Sequence, residues 1–305
     1  MNSPTNNPEE TGKKGDLYVI ATPIGNREDI TLRALNVLGG VDLVAAEDTR
    51  HTLRLLSHHN IKRRLISYHE HNEKERTKSL LDKLNSGLSV ALVSNAGTPT
   101  VSDPGYQLIK TAIQRNIRVV PIPGVSAAVT ALSVSGMPTD SFVFVGFLAR
   151  KKGKRIEQFR KLAFEQRTII FYESPRRIQT LLEEIILNIG DRNGVLCREM
   201  TKLHEEFIRG NLSNILRSLK KRPSIKGECT LLVAGDKENE DVSMEKIRKE
   251  IKKRLVSAKG SLSDIAKGVA KKYNLPKNRV YDEALKIKQS EPSSERSEAS
   301  VDCKL

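Results

Sequence analysis

The sequence predicts an α/β protein of two domains, a parallel α/β domain followed by a mixed-sheet α+β domain, with a small C-terminal helical domain. Three observations carry this. Short apolar runs alternate with amphipathic stretches up to residue 122. After the break Pro121-Ile122-Pro123-Gly124, apolar runs outnumber helical stretches, as in a mixed sheet. Beyond an acidic link at 236–242, D-K-E-N-E-D-V, three short helical patterns follow.

Taken in order, residues 1–14 form a polar tail expected to be disordered, without the basic start and apolar centre of a secretory signal. The first domain is expected over 15–122. It opens on a buried strand, L-Y-V-I-A-T at 17–22, and a turn, Pro23-Ile24-Gly25-Asn26. Asp29 and Thr31 are candidate caps of a helix that ends at Gly39-Gly40. Further strands are predicted at 42–46, 64–68, 89–93 and 117–122, with helices near 49–59, 73–86 and 104–115. The second domain is expected over 123–236. A small-residue helix, Ser126 to Ser135, precedes strands at 142–146, 167–172, 193–199, 204–209 and 228–234 and helices near 154–164, 175–188 and 211–220. A basic helical domain is expected over 243–288, with helices at 243–256, 261–273 and 276–288. Ser261 and Asp264 have capping-box spacing, Pro276 suits a first turn, and the unit is similar to a helix-turn-helix module. Residues 289–305 are expected to be disordered.

Residues 90–105, V-A-L-V-S-N-A-G-T-P-T-V-S-D-P-G, are the most informative stretch. A buried strand ends in a loop with almost no side-chain bulk. In open α/β sheets ligands bind outside the carboxyl ends of strands. A loop of this kind lets a flat ligand lie against the backbone. It lacks both glycine spacings that cradle phosphates, so a ligand without phosphates is expected. Asp103, ahead of Pro104, reads as a helix cap.

The formal net charge is +15, and its position matters more than its size. Residues 243–288 hold 14 Lys/Arg against 5 Asp/Glu, and residues 150–161, R-K-K-G-K-R-I-E-Q-F-R-K, hold 7 against 1. The remainder is neutral. Two basic patches on a balanced chain favour a nucleic-acid partner over a solvated face. Aromatics are only 4% and Trp is absent, which argues against a reader built on base stacking. Cys197, Cys229 and Cys303 form no C-x-x-C pair, so no metal site or disulfide framework is expected and a reducing cytoplasm fits. No apolar run reaches membrane-spanning length, so no membrane partner is expected.

Seven segments occur in one order: T-P-I-G-N at 22–26, A-A-E-D-T-R-H-T at 45–52, S-N-A-G-T-P-T-V-S-D-P-G at 94–105, P-I-P-G-V-S-A at 121–127, G-F-L-A-R-K at 146–151, F-Y-E-S-P-R-R at 171–177 and R-E-M-T-K-L-H-E-E at 198–206. Over about 15–288 the chain resembles the bacterial 16S ribosomal RNA (cytidine-2′-O)-methyltransferases of the tetrapyrrole methylase superfamily. Each segment alone is weak; together they carry the resemblance.

The resemblance implies a two-domain tetrapyrrole-methylase-like fold, S-adenosyl-L-methionine as methyl donor, 16S ribosomal RNA or the small ribosomal subunit as substrate, and a homodimer. Pro23, Gly25, Ser94, Asn95, Ala96, Gly97, Thr98, Ser126, Ala127, Tyr172 and Glu173 are the expected donor-binding residues. Each alone also reads as a turn, cap or packing residue. The donor has no phosphate, which agrees with the neutral loop. Methyl transfer to a ribose hydroxyl needs alignment and a proton acceptor. Asp48 is the first candidate and Glu47 the second, both after the strand at 42–46; Asp48 reads equally as a helix cap. Arg50, His51, Arg150, Lys151, Lys152, Lys154, Arg155, Arg176 and Arg177 are expected RNA contacts, and Glu199 and Lys202 read as a local ion pair. The family's usual loop is S-D-A-G-T-P, whereas position 95 is Asn, which keeps an acceptor oxygen without the charge. Two other readings stand beside this one: a methyltransferase for a small tetrapyrrole, which the two basic segments disfavour, and a non-catalytic RNA-binding assembly factor, which Asn95 alone suggests.

Overall fold

The computed structural model describes residues 14–236, 244–257, 261–273 and 275–290. The expected tails and the acidic link lie, apart from their inner ends, outside the described residues, as does Cys303. The described chain divides into two compact units. One runs to Val134 and includes Arg198–Glu206; the other takes Ser135–Cys197 and the described residues from Phe207 onward.

The first unit alternates β1 (Leu17–Ile20), α1 (Leu32–Gly40), β2 (Leu43–Ala46), α2 (Thr49–His58), β3 (Arg64–Ser67), α3 (Glu73–Asn85), β4 (Val90–Val93), α4 (Tyr106–Gln114), β5 (Val119–Ile122) and α5 (Ala127–Ser133). The strands form a parallel sheet in the order β3-β2-β4-β1-β5. Helices cover both faces. The central strands L-V-A-A and V-A-L-V are therefore buried at every residue and show no polar alternation. Leu43, Ala45 and Leu92 pack with Leu80, Leu84 and Leu108 on one side. Val44, Ala46 and Val93 pack with Ala34, Leu38 and Leu56 on the other. The chain leaves β1 toward the β3 edge and leaves β4 toward the β5 edge. Their carboxyl ends thus flank a switch point, where a crevice opens for a ligand.

The α1 helix takes Thr31 as its cap, the Thr31 hydroxyl accepting from Ala34 N at 3.1 Å. The packing carries this unit past the break at 121–124 to Val134. Gly124 explains part of this, because a Cβ there would stand 3.0 Å from Ala21 Cβ. The α4 helix is capped from a distance. Glu73 Oε1, at the start of α3, accepts from Gly105 N at 3.1 Å, Gln107 N at 3.4 Å and the buried Tyr68 hydroxyl at 3.0 Å. Glu73 thereby fixes where the 94–105 loop ends.

The second unit contains β6 (Phe142–Gly146), α6 (Lys152–Leu162), β7 (Thr168–Glu173), α7 (Ile178–Asn188), β8 (Asn193–Arg198), β9 (Glu206–Asn211), α8 (Leu212–Lys220), β10 (Cys229–Val233), α9 (Met244–Ser257), α10 (Leu262–Tyr273) and α11 (Lys277–Ser290). Its sheet order is β6-β7-β10-β8-β9, with β6 parallel and β10 antiparallel to β7, hence mixed. Phe159, Phe171, Ile178, Leu182, Leu196, Leu212 and Leu231 fill the core.

Helices α9 to α11 have their own core of Ile247, Ile251, Ala266, Val269, Val280 and Ala284. They nevertheless group with the second unit. Asn278 reaches Asn188 Oδ1 on α7 at 3.5 Å, and the Arg279 guanidinium lies 5.6 Å from the centre of the Phe164 ring. The start of α11, the helix that would enter a groove in a helix-turn-helix module, is thus packed inward. The expected capping box is present: Asp264 N donates to Ser261 Oγ at 3.2 Å, and Ser261 N donates to Asp264 Oδ2 at 3.3 Å.

Replacing Glu73 by Ala leaves two backbone N–H groups without their acceptor, while the buried Tyr68 hydroxyl keeps only the Thr77 hydroxyl, at 3.0 Å. The expected loss is about 2 kcal/mol of stability, and less for Glu73→Gln, which still accepts. Urea unfolding measures this; an unchanged midpoint in Glu73→Ala would contradict the remote cap.

Candidate functional site

Three carboxyl-end loops of the first unit are tied together. Thr22 and Gly97 exchange two backbone hydrogen bonds of 2.9 Å each. The Thr22 hydroxyl donates to Ser94 O, and the Thr98 hydroxyl donates to Val125 O, both at 3.1 Å. Loops after β1, β4 and β5 therefore hold one another. Gly97 takes φ +78°, a conformation that favours glycine. Thr100 and Ser102 also lie in the left-handed region, at φ +72° and +66°. Such strain costs on the order of 1–3 kcal/mol per residue and gathers at functional sites.

Pro23, Ser94, Asn95, Ala96, Gly97, Thr98, Ser126 and Ala127 all fall on these loops or at the start of α5. Gly25 has a different surrounding. A Cβ there would meet Lys202 Cγ at 2.5 Å, Thr201 Oγ1 at 2.6 Å and Met200 O at 2.9 Å. It is glycine because the Arg198–Glu206 segment packs on it, and Asn26 N donates to Thr201 Oγ1 beside it at 2.9 Å. In the same segment Glu199 and Lys202 form the expected ion pair, at 2.8 Å.

Asn95 stands out chemically. Its backbone N donates to Glu47 Oε2 at 3.2 Å. Its side-chain Oδ1 is buried and has no partner. A buried acceptor left unpaired costs about 1–3 kcal/mol, so this loop suits a ligand that brings a hydroxyl or ammonium donor. Its neighbours Ala96 and Gly97 carry little side-chain bulk.

The three acidic residues near this loop differ. Asp48 is exposed and caps α2, accepting from Arg50 N at 2.8 Å and His51 N at 3.4 Å. Those N–H groups hold its carboxyl below the usual range. Glu47 is half-buried against Asn95. Asp103 is the residue that sequence reasoning placed elsewhere. The α4 helix starts at Tyr106 with Gly105 as its cap, so Asp103 does not cap it. It turns back toward Ser94 instead. Burial pushes its pKa up to about 6; the Ser94 hydroxyl offsets part of this, and the Glu47 charge adds to it. The one sequence signal for this was Pro104-Gly105, which lets the chain turn once more before the helix begins.

In the second unit Glu173 is buried at the end of β7. It accepts from Ser174 N at 2.6 Å and from Arg177 Nε at 2.9 Å. Tyr172, beside it, is half-buried between Phe144 and Phe147. Arg155 forms a two-pronged pair with Glu184 at 2.6 and 2.7 Å and donates to Ala149 O and Arg150 O. Arg155 and Arg177, expected on RNA, are thus committed to anchoring α6 and the E-S-P-R-R turn. Arg50, His51, Arg150, Lys151, Lys152, Lys154 and Arg176 are exposed. Among the described residues no His, Cys, Asp and Glu group suits a metal ion, and no helix is long and apolar enough to cross a membrane.

Comparisons with known proteins identify the family and the fold. The family model described as tetrapyrrole (corrin/porphyrin) methylases matches residues 16–216. A protein of Halalkalibacterium halodurans named ribosomal RNA small subunit methyltransferase I is 48% identical over 230 residues, 75% of this chain and 79% of its own. A protein of the same name from Micromonospora olivasterospora is 43% identical over 279 residues, covering 92% and 89%. The crystal structure of uroporphyrin-III C-methyl transferase from Thermus thermophilus complexed with S-adenyl homocysteine has the same fold. Its TM-score is 0.52 at 17% identity, with 72% of this chain and 97% of that one covered. The chain therefore belongs to the tetrapyrrole methylases, and within them to the ribosomal RNA small subunit methyltransferase I family.

Proposed function

We propose that this protein transfers a methyl group from S-adenosylmethionine to the 2′-hydroxyl of a cytidine ribose in 16S ribosomal RNA, as free RNA or within the small subunit. The name its relatives carry, ribosomal RNA small subunit methyltransferase I, supports the RNA class. The observation that carries the site is the buried, unpartnered Asn95 Oδ1 on a neutral loop beside Glu47 and Asp103.

S-adenosylmethionine, when bound, supplies an electrophilic methyl on a sulfonium, together with hydroxyl and ammonium donors. The residues present fit it. Asn95 Oδ1 accepts one of those donors. Backbone groups of Ala96 and Thr98 would take the flat base and ribose beside Gly97, whose own N–H and C=O are bound to Thr22, and Pro23, Ser126 and Ala127 border the same loops. An aspartate at position 95 would set a third carboxylate beside Glu47 and Asp103. Asparagine keeps the acceptor and avoids that repulsion.

Asp103 is the proton acceptor in this reading. The Asp103 carboxylate would take the proton that the ribose hydroxyl loses as its oxygen is methylated. A carboxylate near pKa 6 is ionised at neutral pH and is a stronger base than an exposed one. Burial keeps that pKa raised, the Glu47 charge adds to it, and Glu47 also holds the Asn95 backbone. Asp48, with its Oδ1 accepting at the start of α2, sets the direction of the helix that presents Arg50 and His51. Arg150, Lys151, Lys152, Lys154 and Arg176 neutralise phosphates. The enzyme works as a homodimer in the cytoplasm; the family resemblance supports the first point and the scattered cysteines, which form no C-x-x-C pair, the second.

Small ribosomal subunits incubated with the protein and methyl-labelled donor are expected to carry the label on a cytidine ribose. Label on the base, or none, would overturn the reaction. Asn95→Ala is expected to weaken donor binding about tenfold in calorimetry while the protein stays folded; an unchanged affinity would remove Asn95 from the pocket.

A further inference from the structure

Strand β6 ends in an irregularity. Its register with β7 shifts between Phe144 and Gly146, and Gly146 takes φ +66°. Bulges re-aim the side chains that follow them. Phe147 comes next and is 52% exposed, whereas Leu148 is 5% exposed. The Phe147 ring leans on Tyr172, centroids 5.8 Å apart and planes at 66°, and Tyr172 leans on Phe144 at 5.0 Å and 71°. A tilted contact of this kind steadies a ring without covering both its faces. Exposed Arg150, Lys151, Lys152 and Lys154 follow within seven residues, and no acidic residue occurs from Phe142 to Ile156.

A lone exposed apolar side chain needs no explanation. This one differs because a bulge turns it out, a second ring backs it and four cations stand beside it. We infer that Phe147, supported by Tyr172, is a stacking platform for one unpaired RNA base, with the four cations neutralising the phosphates on either side. This rests on the RNA-methylating reading and narrows it: the substrate is single-stranded where it crosses this element. Base faces are open to an aromatic ring in single strands and covered in a duplex. The low aromatic content still excludes a reader that stacks several bases; one ring takes one base. A second copy of this chain fits the patch poorly, because a twofold contact through it would bring two sets of four cations together.

The test uses the full chain and a single-stranded RNA oligonucleotide carrying 2-aminopurine, with the same strand in a duplex as control. The protein is expected to quench the single strand's fluorescence and not the duplex's. Phe147→Ala should weaken single-strand binding about 5- to 100-fold and abolish the quenching, with the salt dependence of Kd unchanged. Phe147→Tyr should keep both, which guards against a misfolded alanine variant. Lys152→Gln should keep the quenching and lower the salt slope by about one. Native affinity and quenching in Phe147→Ala, or equal quenching of the duplex, would overturn the platform. So would a change confined to self-association, which would assign the ring to a protein contact. Methyl transfer to ribosomal RNA without quenching defeats the platform and leaves the enzyme reading intact; quenching without methyl transfer does the reverse.

Discussion

The two hydrogen bonds between Thr22 and Gly97 set the loops after β1 and β4 against each other, and the rest of the site depends on them. They form only because Gly97 can take a positive φ and because Thr22 and its neighbours carry little bulk. Once they are made, the Thr22 hydroxyl fixes Ser94 O, Thr98 fixes the loop after β5, and Ser94 is left facing Asp103. A left-handed Thr100 and Ser102 then become tolerable, since both ends of the loop are held, one by this bridge and the other by Glu73. Strain that would relax in a free loop persists here because the surroundings over-determine it.

The charges sort by the same logic. Several that fold inward meet a partner. Glu173 meets Arg177, Glu184 meets Arg155, and Arg248 on α9 meets the buried Glu283 of α11 at 2.6 Å. These pairs set the backbone from which the remaining cations project. Arg150, Lys151, Lys152 and Lys154 stand out from a segment that Arg155 anchors. On the helical unit, Lys252, Lys267 and Lys271 on α9 and α10 and Lys286 and Lys288 on α11 are exposed.

Most of the architecture was legible in the sequence because its causes are local. Buried parallel strands must be apolar throughout, as L-V-A-A and V-A-L-V are. Thr31 and the Ser261-Asp264 pair mark helix starts by side chains within three residues of the bonds they make. What stayed hidden depends on distant partners. Asp103 has cap spacing, yet a remote carboxylate, Glu73, took the role of satisfying the start of α4 and Asp103 turned back to Ser94. Arg155 reads as one more cation in a basic run until Glu184, 29 residues on, arrives beside it. Gly25 reads as a ligand-loop glycine until residues 200–202 pack on it. In each case residue type and spacing are compatible with both roles, and tertiary contact decides.

Assigning the proton transfer to Asp103 rather than to Asp48 is the most consequential step, and the pH dependence of kcat/KM with ribosomal RNA as substrate tests it most directly. That ratio reports ionisations of the free enzyme. A base must be ionised to act, so the rate is expected to rise through about pH 6 and level off above it. In Asp103→Asn the limb should vanish and the rate fall by about 100- to 10,000-fold, while Asp48→Asn keeps the limb. A limb that persists unchanged in Asp103→Asn, or a variant that methylates at full rate, would contradict the assignment.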